Sequence, residues 1–199
     1  SNDSTRSIRS SSPAPHAVTN SMHDKPNLLI DFATFESARF SCENYHYSKA
    51  MPAGKTVKFG VWENERFVGA VIFGLGATHQ LVMPYGLSAT EGCELVRVAL
   101  SRHLTPISRI VTIAVRKLRD FCPGVKLIVS FADPEQGHHG GIYQAMGWIY
   151  TGMTASADEY IVNGKRLHGR SMRAKYGTHL GKNFIVKTLG SSKHRYILP

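Results

Sequence analysis

The stretch ELVRVALSRHLTPISRIVTIAVRKLRDFCPGVKLIVSF, Glu94 to Phe131, decides the fold. It opens with an apolar run, Glu94–Leu100, that reads as a strand interrupted by Glu94 and Arg97. Pro106 then opens a helix, because a proline in the first turn gives up only an N–H that has no partner there. Ile107, Ile110, Val111, Ala114, Val115 and Leu118 recur at helical spacing, and Phe121-Cys122-Pro123-Gly124 stops the helix. Val125–Phe131 is nearly continuous in apolar residues, as in a strand covered on both faces. Strand, helix and strand in this order predict a parallel pair.

Outward from this unit, Val57–Trp62 and Phe67–Phe73 flank the polar turn Glu63-Asn64-Glu65-Arg66 and predict a β-hairpin. Before it come a short apolar run, Leu28-Leu29-Ile30, and a helical segment within 32–48 that ends in a loop carrying His46 and Tyr47. A glycine-rich loop spans 74–90. After it come a polar loop, Asp133–Gly141, a short helix at Ile142–Met146, a strand at Gly147–Tyr150, and a hairpin, 159–162 with 166–171, around Asn163-Gly164. The expected fold is α/β: a mixed, partly parallel sheet flanked by helices.

Charge divides the chain. Lys and Arg number 24 against 14 Asp and Glu, a net +10, yet no acid follows Glu159 and nine basic residues do. A near-neutral body with a basic C-terminal extension points to a polyanion, most simply nucleic acid; a solvated basic face is the bland alternative. The basic residues Lys165, Arg166, Arg170, Lys193 and Arg195, among others, interleave with Tyr160, Tyr176, Phe184 and Tyr196. Such a pattern suits phosphate neutralisation and base stacking. Residues 1–24, serine-rich at their start, read as a disordered leader or cloning remnant with Met22 as a native start. The folded unit is expected over 25–172 and a DNA-contacting tail over 173–199. No run of 18 apolar residues occurs, so no membrane partner is expected. Cys42, Cys93 and Cys122 form neither a CxxC pair nor a disulfide framework, which fits a reducing cytoplasm.

The element order is similar to the GNAT acyltransferase fold, in which the N-terminus of the helix after the central strand grips the pyrophosphate of coenzyme A. Here that segment is Arg102–Arg109, and it lacks the glycines of the Q/R-x-x-G-x-G/A loop. Several words narrow the resemblance: Met51-Pro52-Ala53-Gly54-Lys55, Cys93–Leu100, Ser130–Ala145 (SFADPEQGHHGGIYQA), Trp148–Gly152, Asn163–His168 and Lys193-His194-Arg195-Tyr196. They closely resemble the phage Mom DNA-modification proteins, diverged GNAT-type enzymes, from about Asn44 to Pro199. That resemblance implies conversion of adenine in double-stranded DNA to N6-methylcarbamoyladenine, which shields phage DNA from host restriction in the bacterial cytoplasm.

The resemblance also implies a site. His46, Tyr47, Asp133 and Tyr143 would form the catalytic set and, as a nitrogen and oxygen donor set, could hold iron(II); His138 and His139 are rival ligands, DNA contacts or caps. Their bland readings are surface packing for His46-Tyr47, a loop cap for Asp133 and a buried aromatic for Tyr143. Arg97, Arg102, Ser108 and Arg109 would bind acetyl-CoA; Arg97 reads otherwise as half of a salt bridge with Glu94, and Ser108 as a helix cap. A homodimer is a further candidate partner. The methylcarbamoyl group carries a nitrogen that acetyl lacks, so plain acetyl transfer is not the whole reaction. Rival classes are an adenine methyltransferase, against which Asp133-Pro134-Glu135-Gln136 departs from D-P-P-Y, a zinc deaminase, which lacks its P-C-x-x-C, a non-catalytic DNA-binding module and a small-molecule N-acetyltransferase.

Overall fold

The computed structural model describes residues 25–76, 80–156, 158–177 and 185–199. Seven strands form the main sheet in the order β1-β2-β3-β4-β5-β10-β6. They are β1 (Leu28–Phe32), β2 (Thr56–Glu63), β3 (Arg66–Gly74), β4 (Gly92–Leu100), β5 (Leu127–Ala132), β6 (Ile149–Met153) and β10 (His194–Leu198). Only β4 and β5 run parallel; every other neighbouring pair is antiparallel. The β2–β3 hairpin falls where alternation predicts it, with Asn64 and Glu65 both at positive φ in its two-residue turn.

Two helices cover the sheet. α2 (Ile107–Phe121) buries Ile110, Val111, Ala114, Val115 and Leu118 against Phe59, Val71, Phe73 and Ile128. This is the apolar stripe expected of its spacing. α1 (Phe35–Tyr45) is capped by Thr34, whose hydroxyl accepts from Ser37 N, and packs Ala38 and Cys42 on Ala70, Ile72 and Ala99. Leu81, Val82, Tyr85 and Leu87 of the long loop cover Leu127 and Val129, so β5 is enclosed on both faces. A second sheet, β8-β7-β9, comprises β7 (Asp158–Val162), β8 (Lys165–His168) and β9 (Ile185–Leu189). α4 (Gly169–Tyr176) buries Met172 beside Tyr160 and Val162.

The end of the chain corrects the expected domain division. Residues 194–198 are not a peripheral tail: β10 lies inside the main sheet, hydrogen-bonded to β5 on one side and β6 on the other. Tyr196 is 1% exposed and Ile197 7%. The basic surroundings of this five-residue strand hide it in a charge reading, whereas burial of one tyrosine and one isoleucine is enough to seat it. The hairpin expected over 166–171 also ends at His168, where the chain enters α4. The expected leader, Lys182 and Phe184 lie outside the described residues. Among the described residues, no helix is long and apolar enough to cross a membrane.

Candidate active site

The parallel pair parts company halfway. Gly92, Cys93 and Glu94 of β4 pair with Leu127, Ile128 and Val129 of β5, and no pairing continues from Leu95 or Ser130 onward. β4 meanwhile stays bound to β3 as far as Leu100, and β5 to β10 as far as Ala132. The two strands therefore diverge and leave a cleft in the sheet. Two adjoining cavities of about 320 Å³ each fill it, sharing Val98, Phe131, His138 and Tyr143 as walls. Ligands collect at the carboxyl ends of parallel strands for this reason. A bulge accompanies the divergence: Ile72 pairs with Arg97 and Phe73 with Leu95, so Val96 is an extra residue in β4. Val96 and Arg97 both line the first cavity, and an Arg97 guanidinium N–H donates 2.8 Å to the carbonyl of Val96.

The first cavity lies beside the C-terminal end of α1, where Tyr45, His46 and Tyr47 face Arg97, His138 and Tyr143. His46 and Tyr47 stack with ring centroids 4.2 Å apart, and His138 meets the Tyr47 ring edge-on at 5.8 Å. Ser48 N–H donates to His46 Nδ1 at 3.1 Å, which places the neutral ring's proton on Nε2. Burial first, then Arg97, His138 and Lys49, push the His46 pKa down to about 4. His46 is therefore neutral at pH 7, a hydrogen-bond donor rather than a base.

The second cavity runs to the start of α2, with Ile107, Val111, His139, Gly140 and Gly141 in its wall. Tyr143 belongs to α3 (Gly141–Ala145) and lines both cavities. Its hydroxyl lies 2.8 Å from Ser130 Oγ, which is 3.2 Å from the carbonyl of Leu95. Burial pushes the Tyr143 pKa up, against the Ser130 contact, so it is a phenol at neutral pH. Trp148 and Tyr196 each hold its ring at a centroid distance of 5.1 Å.

The loop into α2 differs from a phosphate cradle. Glu63, 2% exposed, accepts from Leu104 N at 2.7 Å and Thr105 N at 2.6 Å. Two loop amides are thus taken by the protein's own carboxylate, and Pro106 has none. No side chain caps α2, however, so the amides of Ile107 and Ser108 in its first turn stay open to an anion. Arg102 takes a positive φ of 51° and gives its carbonyl to Arg66. Burial favours the neutral form of Glu63, but its hydrogen bonds outweigh that and hold its pKa below the usual value. Its stabilisation is then full above the ordinary carboxylate range and fades as pH falls through the lowered value. Glu63→Gln keeps one acceptor but turns an NH₂ toward the other amide. The expected loss at pH 7 is about 1.5–3 kcal/mol. Urea midpoints at pH 7 and pH 4 will show a smaller gap between variant and wild type at the lower pH.

Asp133 stands apart from both cavities. It caps the single turn Pro134–Gln136, accepting from Glu135 N at 3.0 Å, and binds Ser191 Oγ at 3.2 Å and Lys193 Nζ at 3.2 Å. Burial pushes its pKa up, but Lys193 and these hydrogen bonds prevail and hold it below the usual value. It ties the 133–141 loop to the chain end.

The comparisons agree with this geometry. The family model of the Mom protein family matches residues 27–199. The chain belongs to the Mom family. No curated protein matches it. Among solved structures it is similar to FeeM, an N-acyl amino acid synthase from uncultured soil microbes, at 12% identity and TM-score 0.50, covering 87% of this chain and 90% of that one. It is also similar to a variant of the SpeG spermidine N-acetyltransferase of Vibrio cholerae (9%, TM-score 0.50, 86% and 92%). A third is a structure from Chromobacterium violaceum assigned to the GNAT acetyltransferases (10%, TM-score 0.50, 98% and 96%). These likenesses establish the GNAT fold.

His46, Tyr47 and Tyr143 share one cavity with Arg97 and His138; Asp133 is not among its walls. The donors do not suit a metal. The Asp133 carboxylate is occupied by Lys193, Ser191 and Glu135 outside the cavity that holds His46, Tyr47 and Tyr143, and His46 Nδ1 is bonded to Ser48. Among the described residues no three His, Cys, Asp or Glu side chains converge as a metal site. Ser108 lies in the open first turn of α2 with Arg109 next to it, where an anion would approach. Of the basic residues expected to meet DNA, Lys165 is exposed, Arg166 pairs with Glu159 (2.5 Å) and Glu135 (3.2 Å), and Arg195 donates to Thr151 at 2.9 Å. The Arg170 side chain lies outside the described residues. Sequence reading passed over Ser130 and Glu63. Ser130 carried a signal, a hydroxyl in an otherwise apolar strand that must find a partner.

Proposed function

We propose that this Mom-family chain is an acyltransferase-like enzyme that modifies the N6 amino group of adenine in DNA, and that the modification is the methylcarbamoyl group that protects phage DNA from restriction. The observation that carries the reading is the cleft between the diverging β4 and β5, with a protonated Tyr143 between its two cavities. The acyl donor is acetyl-CoA. The residues fit its diphosphate through the open first turn of α2, at Ile107 and Ser108 with Arg109 beside them, and not through the loop amides that Glu63 holds.

Adenine N6 is a weak nucleophile inside a duplex, so the base must leave the stack and be held against the donor. The stacked His46-Tyr47 pair, with Tyr47 47% exposed at the cavity, offers an aromatic face for such a base. In the transfer, N6 forms a bond to the thioester carbonyl carbon, the carbon–sulfur bond breaks, N6 loses a proton and the thiolate gains one. Tyr143 supplies that proton and its phenolate oxygen takes up the one N6 loses, so the phenol is restored; Ser130 fixes the direction of its hydroxyl. The acetyl group so placed still lacks the methylcarbamoyl nitrogen: setting an N–H between its carbonyl and methyl breaks that carbon–carbon bond, forms two carbon–nitrogen bonds and is a two-electron oxidation, so the second co-substrate is a nitrogen donor at the oxidation level of hydroxylamine, whose oxygen leaves as water. The basic surface around Lys165 and the β8-β7-β9 sheet meets the phosphates.

Mass spectrometry of nucleosides from DNA of bacteria expressing the chain tests this. A deoxyadenosine heavier by a methylcarbamoyl group is expected, and Tyr143→Phe should lower its rate of formation by about 10²-fold or more. Unmodified deoxyadenosine with soluble protein would overturn the reading; an acetylated one would leave the transfer and remove the second co-substrate.

A further inference from the structure

We propose that a third cavity, at the amino end of β4, binds a medium-chain carboxylate, with the alkyl chain inside and the head group on Lys55. The cavity has a volume of about 300 Å³. It lies between Gly92 and Cys93 of β4, the open end of the β2–β3 hairpin at Thr56 and Gly74, and the C-terminal end of α2. The cleft opens at the other end of β4 and shares no wall residue with this cavity. The site therefore stands apart from whatever the cleft modifies.

The sequence leaves this space open. Cys122-Pro123-Gly124 stops α2, and the gap over Val57 and Phe73 goes unfilled. Phe73 and Leu118 are buried in its wall, joined by Val57, Val125 and the thiols of Cys93 and Cys122. Among the described residues no carboxylate, side-chain amide or imidazole lines it. Water there finds few partners, so an apolar chain displaces it favourably. At about 30 Å³ for a group the size of water, the volume takes roughly eight to ten methylene-sized groups. A sugar or nucleotide would bring polar groups with nothing to bond. Charge then selects the head group. Lys55 is exposed at the mouth, and no carboxylate of the described residues pairs with it. Glu91, between the wall residues Thr90 and Gly92, is already held by Lys126 at 2.5 Å and by Ser88, so it does not oppose an anion. An apolar pit with a single free cation at its rim complements an alkyl chain that ends in a carboxylate.

Cys122, half-buried in the wall, reports occupancy. Burial pushes the Cys93 thiol up to about 12, so that neighbour stays unreactive. Cys42, fully buried beneath α1, is the control for unfolding. Alkylation of the full-length protein by iodoacetamide is followed by peptide mass spectrometry while butanoate, hexanoate, octanoate or decanoate is added at constant ionic strength. The expected result is saturable protection of Cys122 with Cys42 unreactive. Affinity should rise about fourfold per methylene and level off near ten carbons. Octanamide keeps the chain and loses the charge; it should bind about two- to fivefold more weakly than octanoate, a difference that Lys55→Met removes. Thermal midpoints should rise in the same order of chain length, a reading that needs no cysteine. Protection that ignores chain length, octanamide binding as tightly as octanoate, or a head-group difference that survives in Lys55→Met overturns the proposal. So does alkylation of Cys122 that slows with protein concentration alone, because a second copy would then cover the mouth. Faster alkylation of Cys42 would mark denaturation by the amphiphile and count equally against it.

Discussion

Tyr196→Ala will lower the stability of this protein by about 3–5 kcal/mol, the range for deleting a large buried aromatic side chain. Removing residues 194–199 will leave no cooperatively folded domain at all. Tyr196 is 1% exposed, in a strand with sheet partners on both sides. Its ring touches those of Tyr143 and Tyr150, and its hydroxyl donates to the carbonyl of His139 at 3.1 Å. Truncation to alanine loses the apolar contact and strands that carbonyl; loss of the whole strand also separates β6 from β5. Set against the 5–15 kcal/mol typical of a domain, the single substitution is already a large fraction. The thermal midpoint should fall by roughly 6–20 °C for a domain of this size. Circular dichroism during heating reads both variants. A tail that merely contacted DNA would change neither curve.

Why that strand escapes a reading of the sequence, while the core of the fold does not, is a matter of signal length. α2 presents five buried residues at helical spacing over 15 positions, and the β2–β3 hairpin alternates over two long arms about a polar turn. β10 has five residues, two of them polar, His194 and Arg195, and its apolar members bury only because β5 and β6 leave a gap of one strand between them. That gap is a tertiary fact. The site divides in the same way. His46, Tyr47 and Tyr143 stand out by resemblance, and the structure brings them to one cavity. Asp133 stands out equally, yet it faces Lys193 and Ser191, because its position after β5 also suits a loop cap. Glu63 gives no signal, being one acid among several beside a turn; only the fold shows that it meets two amides about forty residues away.

Gly140→Ala should abolish the modified nucleoside, while its neighbours tolerate the same change. Gly140 takes φ +75° just before α3, and a Cβ there would fall within the ring of Tyr196. The left-handed backbone alone costs about 1–2 kcal/mol for alanine. Overpacking against a ring fixed between two strands adds about 1–3 kcal/mol more. Relief must come from moving the segment that carries His138 and His139 on one side and Tyr143 on the other, which is the shared wall of both cavities. Gly137 has a similar φ of +71° but open space around it, so Gly137→Ala should cost only the backbone contribution and keep activity. Gly141, in the first turn of α3, has neither a positive φ nor a neighbour within 4 Å. There alanine should stabilise by about 0.4–1 kcal/mol by restricting the unfolded chain. Urea unfolding orders the three variants, and nucleoside analysis of DNA from the expressing cells separates loss of stability from loss of the cleft. If Gly140→Ala proved as active as Gly137→Ala, the contact between β10 and the 138–143 segment would not be what holds Tyr143 in place.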